Sequence, residues 1–502
     1  MILNDLQGIE KGKRKVNLSV RGILLIFVVS IVQKRHILIN SLNFVIMKKN
    51  YFLLLLIVLF ALVACDYNES SVVVDIIEKQ QDAIIDGKIP LNRAISNADF
   101  VFNNTEALGH KNRKIKSVDV LSKSNSKIVN TRSSAQNEQD APLAYVVNYE
   151  NNEGFAILAA DTKLPPIISI GDEGNFNTEG FVDFIQDNGA TRSNEDINPA
   201  QEVQYAIVNN SLLLPPADIG NNFSNCTDTT ILVKCAPLVR TKWDQISPYN
   251  YYAPMDPNNS NLKSYAGCGP VAAAQILAAL CFHHNWRPTT QLSNEYPINW
   301  YLINKIIFDD VKYFYSNDTS SNALAVASLI RALGEASEAN YSYTDGTWVY
   351  TSKMNDAYTR LGLTNVHHIL GNSDTTRDAI FNMILNKNYP ITVRADNRLN
   401  TKGAHFFILD GWLRLEYSWI TAELTDTIIG NPTLLTDNIQ RNFDLVHINL
   451  GWGGYCDGYY LLDAFDLSES SYKEYAEEGD YGTADGYVYD LNVGYTIYDD
   501  IQ

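Results

Sequence analysis

The chain has 502 residues, 46% of them hydrophobic, so it can bury substantial cores, and its length suggests about three domains. A formal net charge of −18 argues against nucleic acid as a partner. No glycine-rich phosphate loop and no long basic cluster points to a nucleotide or polyanion either.

Met47-Lys-Lys-Asn50 and the apolar run Tyr51 to Val63 have the basic start and short core of an export signal. Residues 1–46 read as a start placed too early, because Met47 opens a complete signal by itself. Their own apolar run, Gly22 to Val32, is about 11 residues long and falls short of the roughly 20 needed to span a bilayer. The signal ends in Leu62-Val-Ala-Cys65, which resembles the bacterial lipobox, whose cysteine is lipidated and becomes the mature N-terminus. That resemblance implies an exported lipoprotein of the cell envelope or cell surface, held to the membrane through Cys65.

Beyond the signal, Val72 to Ile85 and Leu91 to Phe102 carry helical patterns, the second with Pro90 at its start. Ser122 to Asp140 is polar and reads as a mobile loop. Tyr145 to Tyr149 and Phe155 to Ala159 flank a polar turn containing Gly154, a hairpin signal. Asn209 to Cys235, rich in proline and asparagine with little periodicity, reads as an exposed linker and the place where the chain would be cut. The domains expected are residues 66–225 and 226–502.

Cys268 lies in Tyr265-Ala-Gly-Cys-Gly-Pro-Val-Ala-Ala-Ala-Gln-Ile-Leu277, a small-residue turn entering an apolar helix, with Pro270 in the first helical turn. At a helix N-terminus, backbone N–H groups and the macrodipole favour a thiolate. His405 follows 137 residues later, within the roughly 130–150 residue interval of papain-type enzymes. It stands near the start of an apolar run closed by Asp410-Gly411, which reads as a buried strand. Val446-His-Ile-Asn-Leu-Gly-Trp-Gly-Gly454 is another strand, ending in a glycine turn under a large indole and carrying Asn449. Such a set suits acyl transfer. A thiolate attacks a carbonyl carbon, an imidazolium keeps it ionised and protonates the leaving amine, and an amide oxygen orients the ring. His447, on the opposite strand face from Ile448, is read as structural.

These residues carry a resemblance to a family. Cys268 with Val271 to Ile276, Gly403-Ala-His405-Phe406, Leu409-Asp410-Gly411, Asn449 to Gly454 and Asp457-Gly458 resemble the streptopain-like cysteine proteases, papain-fold enzymes made as zymogens. Arg240 to Asn250 is similar to that family's entry into the catalytic domain. The resemblance implies an α+β fold: a papain-like catalytic domain, its helical part bearing the nucleophile and its antiparallel β part bearing histidine and asparagine, preceded by an α+β pro-domain. It implies that Gln245 supplies an oxyanion-hole amide with the Cys268 backbone N–H. Trp452 would shield a hydrogen bond between Asn449 and His405. The partners implied are protein or peptide substrates and the chain's own pro-domain as inhibitor, with release of the mature protease from the surface as a further expectation. Gly269-Pro270 departs from the family's usual β-branched or small pair and resembles the Cys-Gly-Pro of the bacteriocin-processing type. Leu450 replaces an aromatic, and Leu413 to Asp444 is an extra stretch expected to form a hairpin bordering the cleft.

Of the remaining cysteines, Cys226 with Cys235 could close a small loop, while Cys281 reads as packed on the nucleophile's helix. Cys281-Phe-His-His284 lacks a second ligand pair, so neither metal nor cofactor is expected. The alternative reading is a papain-fold surface lipoprotein with a binding role, or with catalysis limited to self-processing. An amidase or peptidoglycan hydrolase on the same fold is a third, but no wall-binding repeat is attached.

Overall fold

The computed structural model describes residues 87–105, 113–122, 142–162, 164–186, 199–212, 223–344, 346–371, 373–397, 404–425, 433–465 and 491–501. The expected signal with Cys65, the residues before it, the helical pattern of Val72 to Ile85 and the polar stretch after Ser122 lie outside them. All described residues belong to one compact unit, Lys79–Gln502.

The N-terminal lobe opens with α1 (Leu91–Asn104), which starts directly after Pro90. It turns Ala94, Asn97, Ala98, Val101 and Phe102 inward, a spacing of three and four residues that makes one buried stripe. Strands β1 (Ile115–Ser122), β2 (Pro142–Tyr149), β3 (Phe155–Ala159) and β4 (Ile167–Gly171) follow as an antiparallel meander. The expected hairpin is β2–β3. Gly154 in its turn has φ 105°, and a Cβ there would lie 2.1 Å from the Gly171 carbonyl oxygen, so only glycine fits. Helices α2 (Thr178–Gln186) and α3 (Pro199–Leu212) complete the lobe, with Phe181 and Phe184 of α2 meeting Tyr205 of α3 ring to ring.

Next comes β5 (Phe223–Cys235), where the sequence predicts a linker. It pairs with the outer half of a long later strand, Cys235 opposite Trp412 and Phe223 opposite Thr421. The expected irregular stretch is thus helix up to Leu212 and strand from Phe223, and a boundary at residues 225/226 would fall inside β5. Both Cys226 and Cys235 sit on this one strand, nine residues apart. At about 3.3 Å per residue they are roughly 30 Å from each other, so they cannot close a disulfide loop.

A short hairpin, β6 (Met255–Asp256) with β7 (Asn259–Lys263), precedes α4 (Cys268–His283). Every residue of α4 from Cys268 to Cys281 is buried, as suits a helix apolar on all sides. It is surrounded by α5 (Trp300–Phe308), α6 (Ser321–Ala336) and α7 (Thr351–Leu361). Asn299 caps α5 by accepting the Leu302 N–H, and Ser320 caps α6 by accepting that of Ala323. Strands β8 (Leu363–Thr364) and β9 (His367–Leu370), then α8 (Asp374–Phe381), lead into β10 (Ile391–Asn397), β11 (His405–Thr425), β12 (Thr433–Asn449), β13 (Gly458–Leu461), β14 (Leu491–Ile497) and β15 (Asp500–Ile501).

One 11-stranded antiparallel sheet runs through both lobes in the order β1-β2-β3-β4-β13-β12-β11-β10-β14-β9, with β5 added beside β11. The extra stretch Leu413 to Asp444 forms the outer part of the β11–β12 hairpin. The lobes meet where β4 pairs with β13, Gly171 opposite Gly458 and Ser169 opposite Tyr460. A Cβ on Gly458 would lie 2.4 Å from the Ile170 oxygen, so the seam admits glycine alone at that point.

Candidate active site

The turn before α4 sets the thiol in place. Gly267 has φ 97°, and a Cβ there would lie 2.8 Å from Thr347 Cγ2. The Ala266 N–H donates to the Gln245 oxygen at 2.8 Å, and the Thr347 hydroxyl donates to the Tyr265 oxygen at 2.7 Å. Cys268 is therefore the first residue of α4, as expected, with Pro270 in the first turn. The Phe406 N–H donates to its Sγ at 3.4 Å, which brings the nucleophile helix to the residue after His405. Its electrostatics differ from the expectation. Burial pushes the thiol above its ordinary pKa, and the opposing help from the N–H groups of Phe406, Gly269 and Cys268 and from Arg394 is smaller. The N–H groups at the helix terminus offset this burial only in part.

His405 opens β11, opposite Ala395 of β10, and is 2% exposed. Its Nε2 lies 2.8 Å from the Leu450 carbonyl oxygen. A carbonyl only accepts, so Nε2 carries the proton and Nδ1 keeps its lone pair. Burial drives the imidazole down to about 4, with the Leu450 oxygen offsetting only part of that. Burial thus acts against the charged form of both the thiol and the imidazole.

The orienting partner is not the one expected. Asn449 Nδ2 donates to the Thr241 oxygen at 3.0 Å, and Oδ1 accepts from Gln275 Nε2 at 3.1 Å and from the Gly451 N–H at 3.0 Å. The strand register explains this. Asn449 lies opposite Ile408, three residues beyond His405 and roughly 10 Å along the strand. The next residue's backbone reaches the ring instead. Trp452, half-buried, meets Tyr265 edge-on at 5.9 Å, and the Asn449–His405 hydrogen bond it would shield is not formed.

Gln245 is 5% exposed, and its side-chain amide makes no hydrogen bond to a described residue, while its backbone is held by Asp244 and Ala266. Gln275 and Asp457 stand in the motifs of the sequence analysis without a role assigned to either. Asp457 is buried and accepts the Leu450 N–H at 2.8 Å, so it holds the residue that holds His405. Burial raises its carboxyl to about 7, His447 opposing. The signal for both was present, as polar residues inside otherwise apolar or glycine-rich segments.

His447 lies apart from Cys268, as expected, and joins the lobes. Its Nδ1 is 2.6 Å from Asp410 Oδ1 in the C-terminal lobe, and its Nε2 is 3.2 Å from Asp172 Oδ2 in the N-terminal one. Burial alone would lower its pKa, but the Asp410 and Asp172 carboxylates raise it to about 10. Beside it, Glu173 reaches Lys242 at 3.1 Å, and from α3 Gln204 donates to the Tyr460 hydroxyl and Asn210 to the Ala464 oxygen. Among the described residues no group of three or more His, Cys, Asp or Glu could hold a metal ion.

Residues 243–460 match the Peptidase C10 family model, and residues 92–187 match that of the Spi protease inhibitor. Thiol protease/hemagglutinin PrtT of Porphyromonas gingivalis is 26% identical over 159 residues, which cover 30% of this chain and 16% of that protein. A fragment of Prevotella intermedia prointerpain A is 18% identical, covering 74% of this chain and 98% of the fragment with a TM-score of 0.42. Active interpain A from the same organism is 21% identical, covering 53% and 95% with a TM-score of 0.34. The stretch similar to the Peptidase C10 family thus contains Cys268, His405 and the Asn449 turn, and the stretch similar to the Spi protease inhibitor lies ahead of it in the N-terminal lobe.

Proposed function

We propose that the chain is a cysteine endopeptidase made as a latent precursor, exported and lipid-anchored, with Cys268 as nucleophile and His405 as general base and acid. The observation that carries this is the Cys268 thiol hydrogen-bonded to the residue after His405, whose Nδ1 is unprotonated. Nδ1 takes the thiol proton, and the thiolate attacks the substrate carbonyl carbon. The oxyanion is met by the Gln245 amide and the Cys268 N–H, a donor at a helix start that has no partner within the helix. Nδ1–H then protonates the leaving amine, an acyl-enzyme remains, and water deacylates it with His405 again taking the proton. The Leu450 carbonyl, rather than Asn449, keeps Nε2 protonated throughout.

Latency rests on the N-terminal lobe, which matches an inhibitor model and sets Asp172 and Glu173 against His447 and Lys242. Lys242 adjoins the Trp243–Gln245 segment, and His447 lies two residues before Asn449, so both contacts bear on strands that build the site. Processing would act between the lobes ahead of β5, which stays with the peptidase through its pairing with β11. The lipid anchor at Cys65, and with it placement in the cell envelope or on its surface, is supported by the lipobox-like sequence alone. Labelled palmitate should enter the wild-type protein and not Cys65→Ala. Equal labelling of both would remove the anchor.

Cys268→Ala and His405→Ala should each abolish peptide hydrolysis, because the two groups act as one unit. Gln245→Ala should lower kcat by roughly 10²–10³ with KM little changed, the signature of a donor to the transition state. Near-full activity in Cys268→Ala, or a pure KM effect in Gln245→Ala, would contradict these roles.

The junction has its own test. A pKa raised from 6.5 to about 10 means that His447 contributes stability that is fully present below 6.5 and lost as pH rises through about 10. Cys456, sealed against Gln204 in the same junction, reports its opening. In Cys268→Ala chains, which cannot cut themselves, adding Asp172→Asn should speed Cys456 alkylation by roughly tenfold at pH 8, about 1.4 kcal/mol of lost contact. The difference should shrink as pH passes 10. Equal labelling at pH 8 would mean that Asp172 does not hold the lobes together.

A further inference from the structure

Gln275 lies seven residues after Cys268, two turns along the same face of α4 and roughly 10 Å away. It is wholly buried and is the one polar amide in a helix otherwise lined by Val271, alanines, Ile276, Leu277 and Leu280. Its Oε1 accepts the Trp243 N–H at 3.0 Å and the Thr241 hydroxyl at 3.0 Å, and its Nε2 donates to Asn449 Oδ1 at 3.1 Å. Asn449 Nδ2 then donates to the Thr241 oxygen at 3.0 Å, which closes a ring of hydrogen bonds through three segments remote in sequence.

We infer that Gln275 is a positioning residue, one amide that locks the oxyanion segment and the histidine's backbone acceptor to the nucleophile helix. Trp243 is two residues before Gln245, and Asn449 directly precedes Leu450, whose carbonyl holds His405 Nε2. The amide is chemically specific here. Toward Trp243 and Thr241 an acceptor is required, and toward Asn449 Oδ1 a donor. An aliphatic side chain offers neither, and a carboxylate offers only the first. A merely structural buried amide would gain nothing from bridging both halves of the site, since apolar filling of the same volume is often as stable. The inference rests on the roles proposed above for Gln245 and His405.

Full-length chains carrying Gln275→Met or Gln275→Glu are to be processed by limited proteolysis, and kcat and KM measured per titrated Cys268 thiol. Gln275→Met, close in volume, should lower kcat by roughly 10- to 100-fold with KM within about twofold, as expected when reacting groups shift while substrate contacts stay. Gln275→Glu should show an ionisation absent from wild type. As pH falls, its protonated carboxyl can donate to Asn449 again and kcat should partly recover, at a pH raised by burial. A lowered melting temperature with kcat per thiol unchanged, and no new ionisation, would overturn the inference. If Gln275→Met does not fold, Thr241→Val removes one bond of the ring outside the helix and should cost a few-fold in kcat, and an unchanged kcat there overturns it equally. A wild-type enzyme without hydrolysis would remove the Cys268–His405 reading and this one with it.

Discussion

The side chains of Gln275, Asn449 and Thr241, buried between α4, the Thr241–Gln245 segment and the turn after β12, satisfy one another's polar atoms. Leaving a buried donor or acceptor unpaired costs about 1–3 kcal/mol, so the ring through Gln275, Asn449 and Thr241 admits few alternative arrangements. From that ring the rest follows. Trp243 is held, and Gln245 with it. Leu450 is held from behind by Asp457 and presents its carbonyl to His405. The thiol arrives from the helix side and the imidazole from the strand side, and the ring ties the helix to the turn that follows β12.

The same dryness that sharpens the geometry suppresses the chemistry. Burial raises the Cys268 thiol and lowers the His405 imidazole, so it disfavours the charged form of both. Charge is instead invested in the lobe junction, where His447 sits between Asp410 and Asp172. The lobes are joined there by a histidine between two carboxylates. Loss of the N-terminal lobe removes Asp172 and opens the edge of β13.

Much of this was legible in the sequence. The small-residue turn at Cys268, the apolar run behind His405 and the glycine turn after Asn449 each have a local signature, and helix α1 and the β2–β3 hairpin appear where the patterns put them. Partners across the sheet were not legible. Asn449 misses His405 because of the β11–β12 register, with an irregularity between Leu409 and Gly411, and no local pattern encodes a register. β5 falls in the proline- and asparagine-rich stretch Asn209 to Cys235 that reads as a linker, although Thr229-Thr-Ile-Leu-Val233 is β-branched enough to argue for a strand. The thiolate was inferred from the helix terminus, and only the fold reveals how deeply the sulfur is buried. Asp172 and His447 are 275 residues apart, and their meeting is a property of the whole sheet.

The proposed function turns most directly on whether Cys268 and His405, both disfavoured as ions by burial in the full-length chain, become an ion pair once the N-terminal lobe is removed. The direct measurement is the pH dependence of Cys268 alkylation in the full-length chain and after removal of the N-terminal lobe. Labelling of the full-length chain should rise only at alkaline pH, as for a buried thiol. In the processed form it should persist to mildly acidic pH, as for a thiolate paired with an imidazolium. A full-length chain that is alkylated at pH 5 as readily as the processed one would contradict it.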